Sequence, residues 1–423
     1  MHHKTHNRQQ QVQPLRGILK SASRLHGTSK NYLSTLLSLA LILLAATLTV
    51  QAQWDIEDSP HTTASLRGIH NVGGGVAWAS GTKGTVLRTE DGGYLWQTCT
   101  IPPGAENLDF RGIQAFNENT AIVMSSGPGD QSRLYKTTDG CQSWHLLFTN
   151  PDKEGFWDAL KLRWISGLRT DGKLVVSGIL IGDPVDGKFA EFFSFDGERW
   201  TKSVGEEAAS ARDGEGLFAA SNSSLVSNYK GSIFVTGGKA GSRSRVLSEY
   251  VKHDPRVSWN FVGGDLPLAS GDSAGAFSIA TSRVDEEVPV PAGPEGDRVY
   301  FADMTAKYVA VGGDYKKPEK VSGTAAYSGD GGLHWKSAAT PPHGYRSSVA
   351  YDPTQKLWIT VGPNGTDISR DDGKNWQPLK PSGYDPADAD KNWNALSLPF
   401  VVGPNGRIGR LRTITVPQNK SAQ

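Results

Sequence analysis

One stretch, RTEDGGYLWQ at positions 88 to 97, constrains this chain more than any other because the chain repeats it. Asp91 and Trp96 stand five apart, with Thr89 before the Asp and two glycines after it. The same order returns as KTTDGCQSW (Asp139, Trp144), YSGDGGLHW (Asp330, Trp335) and SRDDGKNW (Asp371, Trp376). Two worn copies lie between: HDPRVSW (Asp254, Trp259) keeps the spacing, and FDGERW (Asp196, Trp200) has lost one residue. Each copy joins a hydroxyl residue or Asp that can bond its own backbone, glycines that tolerate positive φ, and a large aromatic anchor. That is the chemistry of a tight hairpin turn locked onto a packed strand.

The tryptophans at 96, 144, 200, 259, 335 and 376 serve as a ruler, with intervals between 41 and 76 residues. The intervals centre on the length of a four-stranded propeller blade. Each contains an apolar strand, a turn, a second strand, a third strand, the Asp turn and a Trp-led final strand. The first copy reads LRGIHNV, VAWASG, GTVLRTE and WQTCTI; the fourth reads EGLFAAS, SIFVTGG, SRVLSEY and WNFVG. The fifth carries an acidic, Pro-rich insertion, DEEVPVPAGPEGD, expected to be a surface loop. After Trp376 come WNALSL, PFVVGP and GRIGRLR, three strands without a Trp-led fourth. The missing strand is at the other end, beginning at Gln53 and Trp54. The expectation is all-β: a single seven-bladed β-propeller of four-stranded antiparallel blades over residues 53–416, closed by the N-terminal strand in the last blade. Residues 417–423 are then a C-terminal tail.

Residues 1–30 carry Lys4, Arg8, Arg16, Lys20, Arg24 and Lys30 and no acid, and an apolar run from Tyr32 to Val50 follows. Val50-Gln51-Ala52 places small residues at a cleavage spacing. The order is that of a signal peptide over 1–52, with an uncleaved N-terminal anchor as the alternative. Either makes the protein exported, periplasmic or secreted, and membrane-anchored only if the segment stays. A net charge of +1 gives no footprint for nucleic acid. The two cysteines, Cys99 and Cys141, fall in a strand after its Trp and inside the next repeat's turn. Neighbouring repeats would not normally bring those positions within bridging distance, so free thiols or a weakly populated bridge are favoured.

The turns TEDGGYLW, TTDGCQSW, SGDGGLHW and SRDDGKNW resemble the Asp-box (BNR) repeat of sialidase-type propellers, S/T-x-D-x-G-x-x-W, with Cys141 replacing a glycine. In that resemblance Asp91, Trp96, Asp139, Trp144, Asp330, Trp335, Asp371 and Trp376 are structural. The longer strings LRGIHNVGGGVAWASGTKGTVLRTEDGG, IGDPVDGKF and VGPNGTDISRDDGKNW resemble the photosystem II stability/assembly factor propellers and their non-photosynthetic bacterial relatives. This second resemblance spans residues 54 to 412. It implies an exported, non-catalytic propeller that binds protein partners.

Propellers place ligands where the innermost strands begin. Aligning the repeats puts Arg67, Arg111, Asp158, Glu215, Ala274, Arg346 and Asn394 at that ring. Arginine forks bind carboxylates bidentately, so the ring reads as a candidate site for an anionic group on a protein or peptide. The alternative is a sialidase-like glycoside hydrolase with Asp158 or Glu215 as acid and Tyr345 as nucleophile, although the first blade has no Arg-Ile-Pro segment. A third reading has the charges pair with one another and hold the blades together. Asp183 and Asp186 in GDPVDG supply too few ligands for calcium and read as a solvated turn. Asp314, Tyr315 and His343 could line the same mouth. No cofactor or metal is expected, and the chain is expected to be a monomer.

Overall fold

The apolar runs form strands that pair as successive hairpins, since the turns between them carry the glycines that reversal requires. The structure, a computed structural model, describes residues 54–58, 62–170, 173–205, 208–228, 231–247, 263–283 and 306–414. It contains seven antiparallel sheets arranged as a propeller ring. Blade 1 runs from the inner strand Leu66–Gly73 out to Gln97–Thr98, and blade 2 from Phe110–Ala115 to His145–Thr149. Blade 3 runs from Trp157–Thr170 to Thr201–Lys202, and blade 4 from Leu225–Asn228 to Asp265–Leu266. Blade 5 runs from Ala274–Thr281 to Lys336–Ser337, and blade 6 from Ser348–Asp352 to Gln377–Pro378. Blade 7 takes three strands from the C-terminal part and its outermost, Trp54–Asp58, from the beginning of the described chain; Trp54 lies opposite Leu411 and Asp58 opposite Arg407. The closure expected from the sequence is therefore present.

Middle strands such as Ala121–Ser125 and Leu357–Gly362 are buried along their whole length because neighbouring blades cover both faces. The outer strands of blades 1, 5 and 6 are two exposed residues each, which leaves little edge for another chain to pair with.

The core is divided among the interfaces between adjacent blades, and the turn tryptophans fill them. Trp96 packs against Phe400 and Val402 of blade 7, and Trp144 against Trp78 and Val86 of blade 1. Trp335 lies against Ile233 and Leu266 of blade 4, and Trp376 against Val309 and Val311 of blade 5. Trp54 stacks on Trp393, with ring centroids 5.8 Å apart, and shares a cluster with Leu357 and Ile359 of blade 6. Each of these five tryptophans thus packs on the blade before its own. Trp259 and Asp254 lie outside the described residues; Phe189, Phe193 and Phe234 fill the described interface between blades 3 and 4.

The four full copies of the Asp turn fold alike. In blade 1 the Thr89 hydroxyl donates to Asp91 Oδ1 (2.8 Å) and accepts from the Gly93 N–H (3.1 Å), while Asp91 Oδ1 accepts from the Leu95 N–H (3.0 Å). Blade 2 repeats this with Thr137, Asp139, Cys141 and Ser143, and blade 6 with Ser369, Asp371, Gly373 and Asn375. The residue donating to the hydroxyl has positive φ: 98° at Gly93, 86° at Gly332, 80° at Gly373 and 62° at Cys141. A glycine suits this position, and Cys141 is the exception.

Two expectations are corrected here. First, Cys99 and Cys141 form a disulfide, with Cα atoms 5.3 Å apart. The Asp turn of each blade lies against the outer strand of the preceding one, and the Thr100 N–H and hydroxyl both donate to the Cys141 carbonyl. Second, EGLFAAS is not the inner strand of blade 4. Glu215–Gly216 instead pairs with Gly237–Gly238, and the inner strand begins at Leu225. The blade's outer strand is Asp265–Leu266, beyond WNFVG, most of which lies outside the described residues. The N-terminal segment 1–52 and the insertion DEEVPVPAGPEGD also lie outside them. Among the described residues no helix is long and apolar enough to cross a membrane.

Polar side chains staple the inner strands together. Gln114 of blade 2 donates to the Leu162 carbonyl and accepts from its N–H, both at 2.8 Å. His70 of blade 1 accepts from the Ala115 N–H through Nδ1 (3.1 Å). Burial, reinforced by the Lys161 charge, lowers the His70 pKa from 6.5 to about 4. Below pH 6.5 the unfolded chain binds a proton that the folded chain refuses, so stability is lost as pH falls from 6.5 through 4. The expected loss from this group is about 3 kcal/mol. His70→Asn, which keeps an acceptor without a titrating group, should lack this component in urea titrations across that window. Equal slopes in the two proteins would refute it.

Candidate functional site

The inner strands share a device that the repeat alignment only partly located. In blades 1, 2, 3 and 5 the pairing with the second strand slips by one residue at Arg67, Arg111, Asp158 and Phe277. Each slip is a β-bulge, which turns one side chain out of the sheet's alternation. The bulged residue precedes a small residue and then an apolar one: RGI, RGI, DAL, FSI. The same order places Ser347 in blade 6 and Asn394 in blade 7, where the Ser347 N–H donates to Val361 and the Asn394 N–H to Val402. In blade 4 it places Ser223, ahead of Leu225 opposite Phe234. The ring is Arg67, Arg111, Asp158, Ser223, Phe277, Ser347 and Asn394. Glu215, Ala274 and Arg346 are not in it.

Residues 217–221, expected to be strand, cross the axis instead, together with residues 222–224. Arg111 of blade 2 donates to the Ala219 carbonyl (3.0 Å), and the Leu217 N–H donates to Asp183 Oδ1 of blade 3 (2.8 Å). Asn222 Oδ1 accepts from the Leu160 N–H of blade 3 (2.7 Å). Ser221 donates to the Ser347 carbonyl of blade 6 (2.8 Å), and Ser223 to the Ser278 hydroxyl of blade 5 (2.7 Å). One segment thus ties four blades together across the axis. Further along the same inner strands an open cavity of about 670 Å³ is walled by Leu225, Ile279, Val349 and Leu396.

On the bulge side the charges gather. Arg111 Nε lies 2.8 Å from Asp109 Oδ2, and Arg67 Nε lies 3.5 Å from the same oxygen. The side chains of Arg67 and Arg111 remain 31% and 27% exposed while sharing one carboxylate, and the Arg67 Nε is enclosed without a hydrogen-bond acceptor. Burial lowers the Arg67 pKa, Asp109 opposing and Arg111 reinforcing the shift. Beneath them Asp158 is almost fully buried, and its Oδ2 has no hydrogen-bond partner. Burial and then the neighbouring Asp183 push its carboxyl well above the usual range, Arg111 opposing. Burial also raises Asp183, against the Leu217 N–H. Asp183 is therefore a half-buried part of a long strand rather than a solvated turn residue; Asp186, with φ of 52°, forms the hairpin tip. Beside the arginines lies an aromatic shelf: Phe277 stacks on Phe218 (4.0 Å) and meets Tyr345 (4.8 Å) and the exposed Tyr315 (6.2 Å) edge-on.

Arg346 is wholly buried in blade 6. It pairs with Asp367 and donates to the Tyr345 carbonyl (2.7 Å) and Asn364 Oδ1 (2.5 Å). His343 holds the other Asp367 oxygen at 2.8 Å. Burial alone would raise Asp367, and His343 and Arg346 more than reverse it. Glu215 is likewise engaged, by Arg243, by the Thr236 hydroxyl (2.6 Å) and by the Arg212 N–H (2.8 Å). Tyr345 is buried, and burial raises its phenol pKa. Of the residues proposed for a hydrolase, Glu215 is thus held by its partners and Tyr345 is buried, while Asp158 is buried with one oxygen unpartnered. Asn394 donates to the Leu66 carbonyl (2.8 Å) and helps seal blade 7 to blade 1. Asp314 is held by the Ser273 hydroxyl (2.7 Å) at the foot of the Tyr315 loop. Among the described residues no three His, Cys, Asp or Glu side chains converge as a metal site. Asp109, Phe218 and Phe277 were missed from sequence; the FSI triplet was the available signal for Phe277.

No family model matches the chain, and no curated protein matches it. Among solved structures it is similar to YCF48 bound to D1 peptide, at 17% identity and a TM-score of 0.54, over 86% of this chain and 97% of that one. It is also similar to YCF48 from Cyanidioschyzon merolae, at 16% identity and a TM-score of 0.49, over 85% of this chain and 99% of that one. At this identity the first likeness establishes the fold: the chain is a seven-bladed propeller of the kind seen in YCF48.

Proposed function

We propose that this protein is an exported, non-catalytic scaffold that captures a protein or peptide partner through an anionic group at the bulge-side mouth of its channel. The observation that carries this reading is that two partly exposed arginine side chains, Arg67 and Arg111, share the single carboxylate of Asp109. A fork with unspent donors at an open mouth suits a carboxylate or phosphate. The exposed Tyr315, at the edge of the aromatic cluster, offers apolar surface to the partner's neighbouring side chains. The fold supports the reading too, since a YCF48 propeller has been solved with a D1 peptide bound. Export is supported by the basic, apolar and small-residue order of residues 1–52 and by the Cys99–Cys141 bridge, which an oxidising compartment favours. An assembly or stability role for the captured partner follows as the working assignment.

The test is recovery of a partner from the cell envelope with the full chain as bait. Arg67→Ala and Arg111→Ala should each weaken that partner about 10- to 100-fold, the value of a charge-assisted hydrogen bond, Arg67→Ala with little change in melting temperature. A partner held equally well by the double variant would overturn the assignment. Release of sugar from sialosides, abolished by Asp158→Asn, would replace it with the hydrolase.

A further inference from the structure

We propose that anion capture by Arg67 and Arg111 is coupled to proton uptake by the carboxyl pair of buried Asp158 and half-buried Asp183, so that the mouth binds its partner more tightly in mildly acidic than in alkaline solution. This rests on the anion-site reading above and adds its regulation.

The argument is geometric first. Asp158 occupies the bulge position of blade 3, one blade from Arg111, where the slip in register takes it out of the sheet's alternation. It is 1% exposed, and its Oδ2 is enclosed with no hydrogen-bond donor. The backbone N–H groups of Asp183 and Ala219 favour the ionised form, but burial of a carboxylate with one oxygen unpartnered outweighs them. Asp183 on the adjacent strand is its nearest acidic neighbour, and two carboxylates sharing a site cannot both ionise easily. The charged groups acting on Asp158 are Asp183 and, from blade 2, Arg111. Arg111 is held by Asp109, which also holds Arg67, and the Tyr345 phenol of blade 6 lies toward Arg67. The crossing segment brings backbone only: the Leu217 N–H on Asp183, the Ala219 N–H on Asp158 and the Ala219 carbonyl on Arg111.

Arg111 therefore has two claimants. When the pair holds its proton, Arg111 faces Asp109 and solvent, and its charge is available to an incoming anion. When Asp158 ionises, its charge draws on Arg111 from below and repels the ligand. Linkage makes the effect reciprocal, so a bound anion favours the protonated pair and takes up a proton. The sign follows: affinity is highest while the pair is protonated and falls as pH rises through its folded pKa.

The experiment is calorimetric titration of the full-length protein with a penta-glutamate peptide between about pH 5 and about pH 9, in buffers of differing ionisation enthalpy. The wild type should weaken about tenfold across this range and take up a fraction of a proton on binding. Asp158→Asn, which fixes the uncharged form, should bind at alkaline pH about as tightly as the wild type at acidic pH, without proton uptake. If that variant fails to fold, the buffer dependence of the wild-type heat decides alone. Binding that requires Arg67 and Arg111 but is independent of pH and buffer overturns the coupling and leaves the anion site standing. No binding, or binding indifferent to Arg67→Ala and Arg111→Ala, overturns the anion site and the coupling with it.

Discussion

Reducing the Cys99–Cys141 bridge is expected to destabilise the propeller by about 4 kcal/mol, the chain-entropy value for a loop closed over a separation of 42 residues. The bridge joins the outer edge of blade 1 to the turn of blade 2, inside the cluster that also holds Trp78, Phe110, Tyr135 and Trp144. It also holds Cys141 at φ of 62°, in a place where the other full copies of the turn have glycine. The residue replacing Cys141 should therefore matter. Cys99→Ala/Cys141→Gly should be more stable than Cys99→Ala/Cys141→Ala by about 1 kcal/mol, the cost of a side chain in the left-handed region. Urea titration with and without a thiol reductant measures the first effect, and comparing the two double variants measures the second. Identical midpoints for oxidised and reduced protein would show that the hydrogen bonds from Thr100 to Cys141 hold this edge without the bridge.

The architecture was legible because its signal is chemical and repeated. A hydroxyl, an Asp, a glycine and a Trp at fixed spacing determine the turn, and the Trp determines which face packs on the preceding blade. Trp54 was readable as the last blade's outer strand for the same reason. The ring was legible only where a charged or amide residue preceded a small and an apolar one. That held for Arg67, Arg111, Asp158 and Asn394. In blade 5 Ala274-Gly275-Ala276 imitates the triplet, and the bulge falls three residues later at Phe277. In blade 4 Glu215-Gly216-Leu217 fits it locally, but tertiary bonds from four blades draw residues 217–224 across the axis. In blade 6 the error was one residue, enough in a strand to reverse a side chain from the channel to the sheet's interior. The disulfide was missed for a different reason: repeat spacing says nothing about how a turn sits on the neighbouring blade.

Arg346, the residue displaced by that one-residue slip, is expected to act on stability and not on binding. Its guanidinium is fully buried with Asp367, itself 1% exposed, so removing one partner strands the other's charge. Arg346→Met should cost about 3–5 kcal/mol. His343 stays on the second oxygen of Asp367 and leaves the first without its cation. Arg346→Met/Asp367→Leu removes both charges, and it should recover about 2 kcal/mol of that loss. The recovery is incomplete because Asn364 Oδ1 and the Tyr345 carbonyl still lose their donor. A double-mutant cycle in urea reads the coupling directly. Partner affinity should be unchanged in the folded double variant, in contrast to Arg67→Ala and Arg111→Ala. Lost affinity in a variant of undiminished stability would return Arg346 to the channel mouth and refute the placement of the ring.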